Sequence, residues 1–251
     1  MTSSGYAARA GWYAAEIAGA AVPALLGGLL RAGMRVAEMP SGTGHFLPAY
    51  AAAGASVTLV DACADMLDAA RRHAAQLQIR SLQTVCCEIE NPPPELGPVD
   101  IVVIPNAAFN QLAANADPAE LLEAAARILE PGGLLLLQVL RVADDGTAGP
   151  CGFYDPAAAD GTWTADRAFT DDLGGHLVRR RRQHHDGTLL RIEFQLIRDG
   201  TSQYTHQVAL RLLGNLECTA AVARAGLALS GTCCGAGGMD EVLARRQGRV
   251  P

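Results

Sequence analysis

Val36-Ala-Glu-Met-Pro-Ser-Gly-Thr-Gly-His-Phe46 is the stretch on which the fold turns. A short apolar run, residues 35–39, ends at a carboxylate, a glycine loop follows, and residues 46–53 read as a helix. Glycine lets the backbone turn sharply and approach a ligand closely, and a helix start carries free N–H groups. In doubly wound sheets this strand–loop–helix junction is the ligand-binding edge.

Downstream, the runs 56–60, 82–87, 101–104 and 134–140 read as strands, and 65–76 and 118–129 as helices, the second stopped by Pro131-Gly-Gly133. Asn91-Pro-Pro-Pro94 is a loop, because proline cannot continue a ladder. Continuous apolar strands alternating with helices indicate a parallel sheet covered on both faces. Upstream, 6–17 and 23–30 read as helices.

The pattern changes after residue 141. Residues 143–172 are loop-rich, and two Asp-Gly turns, at 186–187 and 199–200, then join the extended segments 176–184, 189–197 and 203–213. Leu190, Ile192, Phe194 and Leu196 fall on one face of the middle segment, as do Tyr204, His206, Val208, Leu210 and Leu212 on the next. A helix at 216–225 and strands at 227–233 and 241–245 close the chain. The expected organisation is N-terminal cap helices (1–34), an α/β body (35–142 with 214–251) and an inserted three-stranded antiparallel lid (143–213).

Composition narrows the chemistry. The chain has 251 residues, and all 20 of its basic residues are arginine. Without lysine there is no Schiff-base or pyridoxal chemistry and no P-loop or kinase-type phosphate handling. The 46 alanines point to a GC-rich genome, so part of this is codon bias. A net charge of −6 argues against a nucleic-acid surface. The seven cysteines include no C-x-x-C pair and read as small buried hydrophobes in a reducing cytoplasm, with no metal site. The apolar stretch 18–30, interrupted by Pro23, Gly27 and Gly28, is too short to span a membrane.

Asp61 ends the second strand, 19 residues after Gly42, where a carboxylate reaches both hydroxyls of a ribose. The third glycine of the dinucleotide fingerprint is Leu47 here, which disfavours a nicotinamide dehydrogenase. Glu38, just before the loop, would repel a phosphate and pair with a cationic ligand.

With these residues the chain resembles the class I S-adenosylmethionine-dependent methyltransferases. Glu38 with Ser41-Gly-Thr-Gly44 is similar to the first motif of that family, Asp61-Ala-Cys-Ala-Asp-Met-Leu67 to the second, and Glu88-Ile89 to the pair framing adenine. The segment 100–109 resembles the fourth strand and its exit loop, and Leu129-Glu-Pro-Gly-Gly133 the entry to the fifth. The resemblance implies a Rossmann-like seven-stranded sheet with helices on both faces, its closing strands an antiparallel edge pair, plus the lid.

It also implies roles. Glu38, Pro40 and the backbone of Gly42 and Gly44 would meet the methionine part of S-adenosyl-L-methionine, and Asp61 the ribose. Ala62, Met66, Glu88 and Ile89 would surround adenine, with Asn106 where methionine and substrate meet. Trp12, Tyr13, Phe109, Asn110 and Tyr154 would line the substrate side. His45 reads as a helix-capping or solvated residue, with contact to the substrate as the alternative.

Methyl transfer to a hydroxyl benefits from a base. His206, on the otherwise apolar lid face, is the leading candidate, beside His176, His184, His185 and Tyr154, although a hydrogen-bonded core histidine explains it better. Arg179–Arg182 reads either as a solvated edge or as one pair facing an anionic substrate or carrier-protein phosphopantetheine. The expected function is methylation of a small molecule in natural-product biosynthesis by a cytoplasmic bacterial enzyme. Its expected partners are that molecule, free or carrier-bound, and a second copy of the chain in a homodimer, with neither nucleic acid nor membrane. A methyltransferase fold recruited to a non-methylating cyclisation, elimination or aziridine-type step, and a catalytically silent cofactor-binding subunit, are the alternatives.

Overall fold

The computed structural model describes residues 9–13, 16, 22–142, 158–170, 174–235 and 238–248. Residues 9–13 and 16 are helical, and α1 (Ala24–Leu29) follows. The body runs β1 (Arg35–Glu38), α2 (Leu47–Ala53), β2 (Ser56–Asp61), α3 (Ala64–Gln76), β3 (Leu82–Cys86), β4 (Val99–Ile104), α4 (Ala108–Ala113), α5 (Pro118–Ile128) and β5 (Leu129–Val139). β6 (Arg141–Val142) leads to the lid strands β7 (Thr164–Thr170), β8 (His176–Asp186), β9 (Leu189–Arg198) and β10 (Thr201–Arg211). β11 (Leu213–Gly214), α6 (Asn215–Arg224), β12 (Leu227–Cys234) and β13 (Asp240–Arg246) return to the body.

Seven strands form one sheet in the order β12-β13-β5-β4-β1-β2-β3. β1 to β5 are mutually parallel, β13 runs antiparallel to β5, and β12 antiparallel to β13, the expected edge pair. The period-two alternation of the strands builds two cores. Val36, Ile101, Val103 and Leu136 pack toward α1, α2 and α3, while Ala37, Val102, Ile104, Leu135 and Leu137 pack toward α4, α5 and α6. β1 pairs with β2 on one side and β4 on the other, so chain order reverses at its carboxyl end and opens a crevice there.

Several local expectations shift. Pro131-Gly132-Gly133 lies within β5, not between helix and strand: Val99 pairs with Leu129 but Ile101 with Leu134, so residues 130–133 bulge out opposite Asp100. The exit of β4, read as a loop, turns at once into α4. The lid has four strands, in the order β10-β9-β8-β7, because 164–170 also pairs. That places β8 and its four arginines inside the sheet, which removes the solvated-edge reading of Arg179–Arg182.

The lid's apolar face matches the sequence pattern. Leu190, Ile192, Phe194, Val208, Leu210 and Leu212 are buried with Ala107, Leu140 and Met239 of the body. β6 and β11 pair in parallel where the insertion leaves and rejoins the body. Glu241, fully buried on β13, accepts the Ala24 and Leu25 backbone N–H groups at 2.9 and 2.8 Å, so a remote carboxylate caps α1. Of the described cysteines, all free, Cys63 and Cys218 are buried, but Cys86 and Cys234 are exposed. Adjacent strand residues point to opposite faces, and both Cys-Cys pairs lie at the ends of the edge strands β3 and β12, where one face is left open.

Candidate functional site

The crevice at the carboxyl end of β1 is a cleft lined by Tyr13, Pro40, Ser41, Gly42, His45, Asp61, Ala62, Cys63, Met66, Glu88, Ile89, Pro105, Asn106, Ala108, Gln111 and Leu112. It holds about 810 Å³ of empty space, part of it open to solvent. The structure thus brings together Tyr13, Pro40, Gly42, Asp61, Ala62, Met66, Glu88, Ile89 and Asn106, all singled out from sequence.

The glycine loop is held from inside. Ser41 N–H donates to the Val60 carbonyl at 2.8 Å, Gly44 N–H to Ser41 at 2.9 Å, and Gly42 N–H to Asp61 Oδ2 at 2.8 Å. With those amides committed, the loop is poorly equipped to cradle a diphosphate. Gly42 and Gly44 both have positive φ, +52° and +79°. A Cβ on Gly42 would lie 3.0 Å from the Tyr13 ring, so the helical residues near 13 rest directly on the loop. A Cβ on Gly44 would lie 2.3 Å from Leu47 Cδ1: Leu47 fills the space that Gly44 leaves.

Asp61 is only 8 % exposed yet borders the cleft. Its oxygens accept N–H groups from Gly42 and from Cys63, at 2.8 and 2.9 Å. Burial raises its pKa, those two N–H groups oppose the shift, and the Glu88 charge adds to it. Each carboxylate oxygen can accept more than one hydrogen bond, so Asp61 retains acceptor capacity toward the cleft.

Glu38 departs from expectation. It is completely buried and does not border the cleft. Its Oε2 accepts the Tyr50 hydroxyl at 2.7 Å, and its Oε1 has no hydrogen-bond partner among the described residues. Burial pushes its pKa up to about 8, against the Tyr50 hydroxyl and the His45 backbone N–H, with the Asp61 charge adding to the rise. At neutral pH it is a carboxylic acid, so the repulsion of phosphate expected from a charge at this position is absent.

His45 is neither a cap nor solvated. It is half-buried in the cleft wall, with its ring edge-on to Tyr13 at 5.3 Å. Burial, helped by Arg9, His73 and Arg167, lowers its pKa to about 3, which keeps it neutral. Ser41 Oγ, Thr43 Oγ1 and His45 Nδ1 are buried without hydrogen-bond partners among the described residues. Of these, Ser41 and His45 line the cleft, so two polar atoms without partners among the described residues meet a polar ligand arriving there.

The β4 exit explains two further departures. Asn106 and Ala107 both have positive φ, 52° and 54°, a conformation costly for alanine. Gln138 holds them, its side chain accepting Asn106 N–H at 3.0 Å and its carbonyl accepting Ala107 N–H at 3.0 Å. The tight turn sends Phe109 into the core, fully buried. Asn110 ties the lid to the body, accepting Leu140 N–H and donating to the Leu140 and Arg211 carbonyls at 2.7–2.8 Å. Neither lines the cleft. Ala108, Gln111 and Leu112 do, at helical i, i+3, i+4 spacing, a signal missed because this segment was read as loop.

Trp12 lies beside the lid instead, 5.9 Å from the Arg198 guanidinium. Tyr154 lies outside the described residues. His206 is 9 % exposed on the lid's inner face, and burial, aided by Arg9 and opposed by Glu16, lowers its pKa to about 4. His176, His184 and His185 are exposed. Among the described residues no group of His, Cys, Asp and Glu could hold a metal ion, and no helix is long and apolar enough to cross a membrane.

Residues 36–133 match the family model of a methyltransferase domain. No curated protein matches the chain in sequence. Among solved structures, the CcbJ methyltransferase of Streptomyces caelestis shares 20% identity and a TM-score of 0.70, over 89% of this chain and 88% of that one. S-adenosylmethionine-bound CalS10, an amino pentose methyltransferase of Micromonospora echinaspora involved in calicheamicin biosynthesis, shares 19% and 0.66, over 86% and 84%. The sugar N-methyltransferase KedS8 of Streptoalloteichus sp ATCC 53650 shares 18% and 0.65, over 97% and 88%. These likenesses establish a shared fold.

Proposed function

We infer, from the match of residues 36–133 to the methyltransferase-domain family, that the chain binds S-adenosylmethionine and transfers its methyl group to a small molecule. The observation that carries this reading is the cleft itself: Asp61, Glu88 and Ile89 from two neighbouring strand ends line it together with Tyr13, Gly42 and Asn106. In the bound state Asp61 accepts the ribose hydroxyls with its remaining lone pairs. Ala62, Met66 and Ile89 pack on adenine, Glu88 accepts from its amino group, and Tyr13, Pro40, Gly42 and Asn106 enclose the methionine part. The sulfonium supplies the methyl group when bound. The chain's own residues orient the acceptor, exclude water and remove the acceptor's proton.

His206 is the residue assigned to that proton. It sits on the lid's buried face turned toward the body; burial lowers its pKa to about 4, so the imidazole is neutral but a weak base, suited only to an acceptor that gives up its proton readily. A role in natural-product biosynthesis is supported by fold neighbours that methylate sugars. The same reading sets the enzyme in the cytoplasm as a homodimer acting on a free or carrier-bound substrate.

Titration calorimetry with S-adenosylmethionine tests the core of the proposal. Saturable heat with the folded protein is expected, and its absence rejects the cofactor. Methyl-labelled cofactor offered with amino sugars and small phenols then separates methyl transfer from a recruited reaction. Label in the product supports transfer, whereas altered substrate with intact cofactor points to the non-methylating alternative.

A further inference from the structure

On the lid, Arg181, Phe194 and His206 stand directly opposite one another on β8, β9 and β10, and so project from the same, inner face. Arg179, Leu196 and Tyr204 form the next row. The alternate arginines point outward, where Arg180 and Arg182 stack on Trp163 and Arg182 pairs with Glu193.

The inner face carries a charge imbalance. Arg9 donates to Glu16 at 2.8 Å, and Arg179 pairs with Asp166 at 2.7 Å and Glu16 at 3.3 Å. Asp166 is the extra residue of a register shift in β7, turned inward to meet Arg179. Arg9 and Arg179 also lie over the Phe194 ring. The third guanidinium is left over: Arg181 comes no closer than 3.9 Å to Asp166, and its Nη1 is buried with no hydrogen-bond partner among the described residues. Three buried or nearly buried guanidiniums thus share two carboxylates that are already bonded. A surplus cation away from water is costly unless an anion completes it.

The cluster adjoins the cleft. Arg9 lies 4.4 Å from the centre of the Tyr13 ring, which lines the cleft wall. We propose that Arg181 is the anchor of an anion subsite that takes a carboxylate of the methyl-accepting substrate. A planar carboxylate matches the two-pronged guanidinium. Arg181 and His206 are separated by two strand spacings, about 10 Å, so a single ring can carry the acid at one end and the acceptor near the other. This inference rests on the methyltransferase reading for the identity of the acceptor but not for the subsite.

The test uses the protein loaded with S-adenosylhomocysteine, titrated with 4-hydroxybenzoate and, separately, with 4-hydroxybenzamide. The acid is expected to bind at least about tenfold more tightly than the amide. Arg181→Gln should bring the acid down to the amide's affinity and leave S-adenosylhomocysteine affinity unchanged. Equal affinities in the wild type, no saturable binding of the acid up to about 10 mM, or a preference that survives in Arg181→Gln overturns the proposal. Weakened S-adenosylhomocysteine binding in that variant also overturns it, by assigning Arg181 to the cofactor's carboxylate. If Arg181→Gln does not fold, Arg181→Lys, which keeps the charge and loses the fork, should retain only part of the preference. Failure of the wild type to bind S-adenosylhomocysteine would reject the cofactor, while the same two titrations on unloaded protein still read the subsite.

Discussion

The cleft and the lid are built by different means. The cleft loop is a backbone device: two glycines at positive φ, three committed amides and one carboxylate that fastens loop to strand. The lid is a side-chain device, in which Arg9, Arg179 and Arg181 are set against Glu16 and Asp166 on a hydrophobic face. Backbone geometry tolerates few sequences, whereas ion pairs can be assembled from many positions. The first region therefore carries a motif and the second does not.

The sharpest way to break this contrast is at Gly44. Alanine there faces both a positive φ of +79° and a Cβ 2.3 Å from Leu47 Cδ1. Strain and overpacking together should cost about 2–5 kcal/mol. Gly132→Ala is the control, with φ +83° and nothing within 4 Å, so only the strain of about 1–2 kcal/mol applies. Urea denaturation of the two variants measures the difference. Equal losses would mean that the loop is not packed as tightly as its geometry indicates.

Glu38→Gln comes next, because the wild-type carboxyl is buried with a pKa near 8. Its folded pKa lies above the ordinary 4.5, so the folded state holds a proton that the unfolded state releases between those values. Its contribution is full below about pH 4.5 and is lost as pH rises through 8. The amide keeps an acceptor for Tyr50 and cannot ionise. Relative to wild type, Glu38→Gln should gain stability steadily from pH 5 to pH 9, by a few kcal/mol at the upper end. A difference that does not vary with pH would show that Glu38 is ionised in the folded protein. Asp61→Ala should then weaken S-adenosylmethionine binding by about 1.5–3 kcal/mol; wild-type affinity in calorimetry would reject the ribose contact.

How much of this was readable follows the same division. The parallel strands, the Gly42 loop and Asp61 follow from apolar runs and from loops at strand ends, where position along the chain nearly fixes position in space, whereas the antiparallel edge order and the other cleft residues came from the resemblance to a methyltransferase family. Glu38 was misread because sequence shows a carboxylate but not its burial. Phe109 and Asn110 were misplaced because two consecutive left-handed residues, neither of them glycine, rotate the helix that follows. The fourth lid strand escaped notice because its burial alternates weakly, and the Arg9–Glu16–Arg179 network because its members lie up to 170 residues apart.

The smallest expected effect defines the contrast within a single strand. Arg182 is one residue from Arg181 but on the lid's outer face, paired with Glu193 at 2.7 Å, with 36% of its side chain exposed. Water screens that pair, and Trp163 beneath it is also reached by Arg180. Arg182→Ala should therefore change stability by less than about 0.5 kcal/mol and leave ligand binding unaltered. A loss several times larger, read from the same urea titration, would mean that the outer arginines also hold the lid together. The division of four consecutive arginines into a working face and a solvated face would then have to be abandoned.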